Sequence, residues 1–190
     1  MEKRVLITID DLKAIRPLAE LDGLRWEQYA VESQDQDLRP ILGDGLYYDF
    51  MNEVFDTGDS MYAHYQSLLN GKSWTYNGQT VYFDGLKPML CYFTLARLVQ
   101  NNQVNITRYG VVSKVVPQSQ PVDAQVIRHV VNELRSNAMT YKNQVDTFLL
   151  NNTSTYYLYI GSQSAITTGF KMFKTCFCYL DVTYDLQILH

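Results

Sequence analysis

The apolar side chains near the start of the chain recur at helical spacing. Asp22 is placed to cap a helix over about 23–38, because Leu21 and Trp26 can pack across that cap as a hydrophobic staple. Proline disfavours helix in the residue before it, and glycine favours the left-handed backbone that ends helices. Pro40 and the glycines after it therefore predict that this helix ends there.

Two further short helices follow, separated by a polar break at 57–60. The first begins near Asp44, and the second covers about 61–69, where Asn70-Gly71 ends it. The side chains predicted to face inward from the first of these helices are Leu46, Tyr47, Phe50, Met51, Val54 and Phe55.

Asn77-Gly78 lies between aromatic and β-branched residues. This dipeptide is the strongest short-range signal of a hairpin, because both central residues of a type I′ turn need positive φ. The pattern predicts a two-stranded hairpin over about 74–83. An isolated hairpin is only marginally stable, so we expect this one to pack on the helices or on a neighbouring subunit.

A core helix and a longer helix complete the helical part of the chain. Asp84 is expected to cap the core helix, which continues to about residue 102. Pro121 and Asp123 suit the first turn of the longer helix, which runs to about Leu150. Its predicted inward positions are Val122, Val126, Val130, Leu134, Ala138, Tyr141, Val145, Phe148 and Leu149.

Two segments lack helical spacing. Residues 103–120 form a long connector, and connectors of this length in a compact domain are often functional. Beyond the polar break at 151–155, aromatic and β-branched residues dominate, so residues 156–189 are predicted to form strands or an arm. The predicted fold class is therefore mainly α. A helical bundle with a long core helix and a small β-hairpin occupies 1–152, and a β-rich C-terminal arm or subdomain occupies 153–190.

The composition predicts a soluble, intracellular protein that binds partners. Aromatic residues make up 13% of the 190 residues, and 15 of them are Tyr, whose ring can pack while its hydroxyl stays in water. No apolar run reaches the roughly 18 to 20 residues that span a bilayer, so we expect no membrane partner. Cys91, Cys176 and Cys178 cannot all pair within one chain, and this favours a reducing compartment.

Charge is unevenly distributed along the chain, whose net charge is −4. Residues 1–70 hold 6 Lys and Arg against 14 Asp and Glu, whereas residues 71–190 hold 10 against 6. Such polarity suits head-to-tail contact between identical subunits. Solvated helix faces that happen to be acidic explain each single charge at least as well.

The sequence contains no recognised catalytic or phosphate-binding motif, so we expect neither an enzyme nor a cofactor. Cys176 and Cys178 could join His190 as two or three metal ligands, but burial as small apolar side chains accounts for these cysteines better. Basic residues are scattered along an acidic chain, so sequence-specific DNA binding is not expected.

Several short segments stand in a defined order along residues 8–152. They are Leu38-Arg39-Pro40-Ile41-Leu42-Gly43 with Leu46-Tyr47, Leu68-Leu69-Asn70-Gly71, the aromatic hairpin, Phe83-Asp84-Gly85-Leu86-Lys87, Tyr92-Phe93-Thr94-Leu95-Ala96-Arg97, Thr107-Arg108-Tyr109-Gly110-Val111-Val112 with Lys114, Ser119, and the long helix through Tyr141 and Leu149-Leu150. In order and spacing the chain resembles the head–tail connector, or adaptor, proteins of tailed phages, and more narrowly the neck ring proteins of crAss-like phages.

The resemblance implies a structural virion protein of the neck, made in the host cytoplasm. It would form an oligomeric ring, commonly twelve-fold, that docks on the portal protein and contacts other neck or tail proteins. The ring would continue the DNA channel, with DNA only as non-specific cargo, and it would hold no catalytic, cofactor or metal residues. The alternative from the residues alone is a non-catalytic helical module for DNA packaging or regulation, acting as a monomer or dimer.

Two segments supply the candidate interface residues. The connector 103–120 is expected to contact the portal or the adjacent subunit, and residues 156–189 are expected to join neighbouring subunits or rings by adding strands. Interior support for the chain's own fold, and a self-packed β subdomain, are the competing explanations. The candidate interface residues are Arg108, Tyr109, Lys114, Tyr156, Tyr157, Tyr159, Phe173, Phe177 and Tyr179.

Overall fold

The computed structural model describes residues 4–16, 26–76, 78–102, 104–107, 110–113 and 123–159. The helices are α1 (Ile9–Ile15), α2 (Trp26–Ser33), α3 (Arg39–Leu42), α4 (Asp44–Glu53), α5 (Tyr62–Asn70), α6 (Lys87–Asn102) and α7 (Ala124–Asn151), and a π-helical turn (Gln34–Leu38) joins α2 to α3. The strands are β1 (Lys72–Tyr76), β2 (Gln79–Phe83), β3 (Val104–Thr107) and β4 (Gly110–Ser113). The mainly helical class, the long helix and the hairpin are confirmed. The part of the predicted β-rich arm beyond residue 159 lies outside the described residues.

Helices α6 and α7 pack side by side in an antiparallel arrangement. The rings of Tyr92 and Tyr141 stack with centroids 5.7 Å apart, and Phe83, just before α6, stacks on Phe148 near the end of α7 at 4.2 Å. Helices α1 and α2 also pack on α6. The largest fully buried side chains of the core are Tyr65, Phe50, Leu12, Leu38, Leu42, Leu46, Leu68, Leu86, Met89, Leu90 and Leu95.

Helix α1 was not predicted, although its start carries a capping box. The Thr8 hydroxyl accepts a hydrogen bond from the Asp11 amide at 3.2 Å, and the Asp11 carboxylate accepts one from the Thr8 amide at 2.8 Å. These two bonds satisfy amides that a helix N-terminus otherwise leaves unpaired. The helix is short, and its buried Leu12 joins the core.

The helix predicted to end near Pro40 instead continues to Leu42. The amide of Arg39 donates to the carbonyl of Gln34, five residues back, so the helix widens into a π turn before the proline. In a regular helix the ring of Pro40 would clash with the carbonyl four residues earlier, and a π turn gives the ring space. The helical backbone then ends at Gly43, whose φ is +76°.

Helix α6 begins at Lys87, and Asp84 does not cap it as predicted. The backbone between β2 and α6 passes directly against the end of α5, with Gly71 at φ +95° facing Gly85 at φ +86°. The amide of Leu86 donates to two carbonyl groups of α5, at 3.0 and 3.1 Å. Because this crossing holds residues 84–86 out of helical geometry, α6 starts after it.

Helix α7 runs for 28 residues, about 42 Å. Asp123 was predicted to lie in its first turn but precedes the helix as its N-cap, where its side chain accepts from the Gln125 amide at 3.0 Å. The predicted inward positions Leu134, Ala138, Val145, Phe148 and Leu149 are buried, and Tyr141 is half-buried. Val126 is exposed, however, and Val130 is only half-buried. Close packing of this helix therefore begins about two turns later than its apolar spacing predicts. Val122 lies outside the described residues.

Part of the segment predicted to be an irregular connector is a second hairpin. Strands β3 and β4 pair antiparallel, with Val104 opposite Ser113 and Thr107 opposite Gly110. The β-branched run seen in the sequence is the residue type that such strands favour. Residues 103, 108–109 and 114–120 of the connector lie outside the described part.

Residues 153–159 fold back on the helices as a series of turns, so the extended backbone predicted from Tyr156 onward is wrong for 156–159. The ring of Tyr156 lies 5.7 Å from that of Phe148 and 6.2 Å from that of Tyr65. Phe148 in turn contacts Trp74 of the first hairpin at 5.3 Å, edge to face. These aromatic contacts join the turn, both neighbouring helices and the hairpin into one core, as the first hairpin needs for stability.

Cys91 should resist thiol reagents in the native protein. The side chain is buried in α6, and burial raises the pKa of its thiol from 9.0 to about 12, which lowers the thiolate fraction by about a thousandfold. At pH 8 we expect iodoacetamide to leave Cys91 unmodified until denaturant is added, as measured by peptide mass mapping. An exposed thiol made by Ser60→Cys is the matched control, and equal labelling rates at the two positions would contradict the prediction.

Candidate interaction surfaces

Buried polar side chains connect the N-terminal segment and α6 to the end of α2 and the π turn after it. The side-chain amide of Gln34 accepts from the Leu6 amide at 2.9 Å and donates to the Arg4 carbonyl at 3.0 Å. The Thr94 hydroxyl on α6 donates to that of Ser33 at 3.3 Å. Buried polar groups are costly unless bonded, and these groups satisfy one another.

An ion pair connects the π turn to α6. The Arg97 guanidinium donates two hydrogen bonds to the Asp37 carboxylate, at 2.7 and 3.0 Å, and a third to the side chain of Gln36 at 2.9 Å. Planar guanidinium groups favour such multiple contacts. Arg97 belongs to one of the segments that carry the phage-adaptor resemblance, and its role here is to hold α6 against the π turn.

Four acidic side chains form what we term the acidic surface: Asp49, Glu53, Asp56 and Asp59, at the end of α4 and in the loop after it. No described residue makes an ion pair with any of them. Burial raises the pKa of the Tyr65 hydroxyl well above its usual value, and the hydrogen bond that this hydroxyl donates to the Asp49 carboxylate raises it further. The chain from 44 to 71 holds no Lys or Arg, and the described cation beside this surface is Arg4, which lies over the Phe55 ring without an ion pair to any of the four carboxyl groups.

The fold opposes the ionisation of Glu53, one member of the acidic surface. Its Oε2 is shielded from solvent and has no hydrogen-bond partner among the described residues. Burial raises the pKa of its carboxyl group, and the nearby charges of Asp49, Asp59 and Asp56 raise it further. The ionised carboxylate is therefore less favourable in the folded protein than in the unfolded chain.

Glu53→Gln should make the protein more stable at neutral pH. The unfolded chain releases the Glu53 proton near pH 4.5, before the folded protein does, so stability falls as pH rises from 4.5 through the raised pKa of the folded state. The variant avoids this fall in stability, because a Gln side chain does not ionise. Urea unfolding at several pH values should give the variant a higher free energy of unfolding than the wild type at pH 7 and an equal one below pH 4.5.

Glu27→Gln is the matched control for that series, because Glu27 is exposed on α2. We expect its unfolding curves to follow the wild type at every pH. A stabilisation by Glu53→Gln that is the same at pH 4 and at pH 7 would contradict the assignment to ionisation.

An exposed stripe follows α7 on a side away from the core. We term Arg128, Asn132, Arg135 and Met139 the arginine stripe, since they recur every three or four residues and so share one side of the helix. All four are exposed, Met139 by 48%. Neither arginine has an ion-pair partner among the described residues. The next cation along the helix, Lys142, is held by Asp146 at 2.6 Å.

The described part of the structure contains three of the nine predicted interface residues. Tyr156 is buried and donates to the His64 carbonyl at 2.8 Å, and Tyr159 is buried and donates to the Asp146 carboxylate at 2.8 Å. These two side chains therefore support the chain's own core, the competing explanation. Tyr157 is 74% exposed and remains free to contact a partner. The predicted residues outside the described part are Arg108, Tyr109, Lys114, Phe173, Phe177 and Tyr179.

Neither the acidic surface nor the arginine stripe was singled out in the sequence. The uneven charge between the two parts of the chain was the signal for them, but it gave no positions. Phe55 was predicted to face inward, yet it is exposed beside the acidic surface, where the Arg4 guanidinium lies 5.1 Å from its ring centre. A cation over an aromatic face is a favourable arrangement at a surface.

No helix in the described ranges is long and apolar enough to cross a membrane. Within the same residues, no three His, Cys, Asp or Glu side chains are grouped so that they could hold a metal ion.

The described chain is a helical domain with two hairpins and two oppositely charged faces. It belongs to a family of unknown function (DUF6712), whose family model matches residues 38–169, well over half of the chain. No curated protein and no solved structure matches it.

Proposed function

We propose that this protein is a structural component of a tailed-phage virion, which forms an oligomeric neck ring, docks on the portal protein and continues the DNA channel towards the tail. The observation that carries the proposal is the first part of α7. Over residues 123–130 this helix buries no side chain fully, and only Ile127 and Val130 pack partly against the core. The other side chains of this stretch, Val126 among them, are exposed. A rigid helix with such an exposed apolar start is suited to contact between subunits.

The segments that carry the phage-adaptor resemblance support the proposal in a second way. Several of them have a defined task in the fold: residues 38–43 contain the end of the π turn and the proline that follows it, and residues 68–71 and 83–87 form the backbone crossing at Gly71 and Gly85. Residues 92–97 pack α6 in the core and include Arg97. The resemblance therefore involves residues that specify the architecture rather than scattered surface positions.

The native mass of the purified protein across a concentration series, with electron micrographs of the species formed, tests the proposal. We expect a closed ring of about twelve subunits, formed by a heterologous interface or by assembly on the purified portal. A protein that stays monomeric both alone and with the portal would contradict the proposal. It would favour the alternative, a non-catalytic helical module for DNA packaging or regulation. Affinity for DNA distinguishes the two further, because a ring should lose its weak DNA affinity near physiological salt whereas a DNA reader should keep it.

The connector residues Arg108 and Lys114 provide a second test of the neck assignment. Arg108→Glu/Lys114→Glu should reduce docking on the portal and the yield of infectious particles, since charge reversal at an interface opposes association. Lys72→Glu, a reversal at an exposed position of β1, is the control and should have no effect. Normal assembly by the double variant would remove this segment from the interface.

The C-terminal segment needs a truncation that spares the core. Because Tyr156 and Tyr159 are buried, a chain that ends after Asn152 would lose part of its own fold. A chain that ends after Ile160 keeps them and removes the rest of the proposed arm. We expect this truncated protein to fold but to assemble poorly into particles, and normal assembly would contradict an arm between subunits or rings.

A further inference from the structure

Two surfaces carry opposite charges that have no ion-pair partner among the described residues. The arginine stripe presents Arg128 and Arg135, both exposed, and on the acidic surface Asp56 is exposed while the other three carboxyl groups are half-buried. The other ion pairs that the structure describes, such as Arg97 with Asp37, lie within one subunit. The exposed members of the two surfaces, Arg128, Arg135 and Asp56, can therefore contact another molecule.

We propose that the arginine stripe of one copy docks on the acidic surface of a second copy of this chain. The inference rests on the proposed neck ring and names the two faces through which neighbouring subunits meet. Each copy carries one face of each kind, so the contact is heterologous and can repeat from subunit to subunit. Such a series closes into a ring when the rotation between neighbours divides a full turn.

Charge complementarity is the first argument for a second copy as the occupant. The acidic surface lies in a stretch without any Lys or Arg, from 44 to 71, and the whole chain is acidic at −4. A chain that carries a basic stripe and an acidic face, neither of them ion-paired among the described residues, supplies both halves of the contact itself. Complementary fields raise the association rate and set the register of such contacts.

Exposed apolar side chains beside the charges are the second argument. Met139 ends the arginine stripe, and Phe55 stands next to the acidic surface, 36% exposed. Interfaces derive most of their affinity from a few apolar anchors, while charged pairs around them provide specificity. Each proposed face therefore combines charged side chains with an exposed apolar side chain.

The acidic surface suits the arginine stripe better as a partner than nucleic acid does. Arg128 and Arg135 stand seven residues apart, about 10 Å along the helix axis, and Asn132 between them is uncharged. Glu133 lies on the next side of the helix, paired with Arg16 at 2.6 Å. Tracking a phosphate backbone needs a denser row of cations, because each neutralised phosphate adds to the affinity.

Two variants that each disable one face test the proposal. Arg128→Glu/Arg135→Glu reverses the stripe, and Glu53→Gln/Asp56→Asn/Asp59→Asn removes three of the four carboxylates of the acidic surface, leaving Asp49, which bonds to the Tyr65 hydroxyl. The Asn side chains can still accept the loop hydrogen bonds that Asp56 and Asp59 accept from the amides of Gly58 and Met61. The matched controls are Lys72→Glu and Glu27→Gln, at exposed positions on β1 and α2. Circular dichroism and urea unfolding establish that all four proteins fold.

Sedimentation velocity of the full-length proteins at low salt gives the readout. We expect each face variant alone to self-associate at least about tenfold more weakly than the wild type and the controls. An equimolar mixture of the two variants should form a one-to-one dimer and nothing larger, because only one working stripe and one working acidic surface remain. Raising the salt to about 0.5 M should weaken the dimer by at least about tenfold, since salt screens exposed charges.

Zero-length carbodiimide cross-linking identifies the contact at residue level. Arg128→Lys/Arg135→Lys keeps the positive charge and supplies amines that can couple to carboxylates in direct contact. In a mixture of ¹⁴N and ¹⁵N protein, we expect mixed-isotope peptides that join residue 128 or 135 to residues 49–59. The neutralised acidic variant should not yield them.

The outcomes separate this interface from the neck ring. Face variants that assemble like the wild type would overturn the interface while the ring proposal stands on other surfaces. If the two variants form a mixed dimer, while the wild-type protein forms open-ended oligomers that do not bind the portal protein, the interface would be supported and the ring contradicted. A mixture that stays monomeric overturns the interface, and a simultaneous loss of random duplex DNA binding by Arg128→Glu/Arg135→Glu would assign the stripe to nucleic acid instead.

Discussion

Phe148→Ala should lower the free energy of unfolding by about 3–5 kcal/mol, the range for removing a large buried aromatic ring. Phe148 stacks on Phe83 at 4.2 Å and contacts Trp74 and Tyr156 at 5.3 and 5.7 Å. Its ring therefore packs α7 against the first hairpin and the C-terminal turn at once. Urea unfolding followed by circular dichroism measures the loss, and an unchanged dependence on urea would show that the unfolding reaction is the same.

Leu150→Ala is the control for that change, because Leu150 follows two residues later on the same helix but is 59% exposed. We expect its effect to stay within about 0.5 kcal/mol, as for other surface positions. Similar losses from the two substitutions would mean that the aromatic cluster does not stabilise the fold as the ring contacts indicate.

Gly85→Ala should cost about 2–5 kcal/mol, for two separate reasons. An L side chain at φ +86° is strained by about 1–2 kcal/mol. The added Cβ would also lie 2.5 Å from both the Gly71 amide nitrogen and the Leu69 carbonyl oxygen, which is backbone that cannot move aside cheaply. Forced packing of this kind costs about a further 1–3 kcal/mol. Chemical unfolding again gives the measurement.

Gly43→Ala isolates the packing part of that loss. Gly43 has a similar φ of +76°, but an added Cβ there would meet nothing within 4 Å. Both substitutions restrict the unfolded chain equally, so this contribution cancels in the comparison. We expect Gly43→Ala to lose only the part due to backbone conformation, about 1–3 kcal/mol, because φ +76° with ψ 154° is a combination that essentially only glycine adopts. Equal losses at the two positions would contradict the close backbone crossing.

The predictions from sequence succeeded where local spacing alone decides the structure. The Asn-Gly dipeptide located the first hairpin, and the apolar spacing located α4, α5 and most of α7. The ends of α5 and α7 were also placed within a residue or two, because Gly71 and the polar residues after 150 stop a helix by their own chemistry.

The predictions failed where distant residues override local preference. Pro40 normally ends a helix, but the π turn before it makes room for the ring, and Arg97 on α6 bonds to Asp37 within that turn. Asp84 is a good capping residue, yet the crossing of Gly85 against Gly71 delays the start of α6. Spacing along one segment contains no information about such contacts.

The candidate surfaces could not be predicted from the sequence, for a related reason. Val126 continues the apolar period of α7 but is 51% exposed, because the core does not extend to the first turns of the helix. The aromatic residues Tyr156 and Tyr159 have the composition of an interface arm, but their hydroxyls find partners within the chain. Which apolar residues face a partner depends on where the core ends, and that is a property of the whole fold.

The place of Tyr156 also has a consequence during synthesis on the ribosome. Its ring closes the aromatic cluster around Phe148, and its hydroxyl reaches back to the His64 carbonyl, 92 residues earlier. Helices α4 and α5 and the first hairpin therefore leave the ribosome long before the residues that cover them are made. Until residue 159 emerges, the nascent chain exposes the apolar faces of these elements, and this is the period in which it would depend most on chaperones.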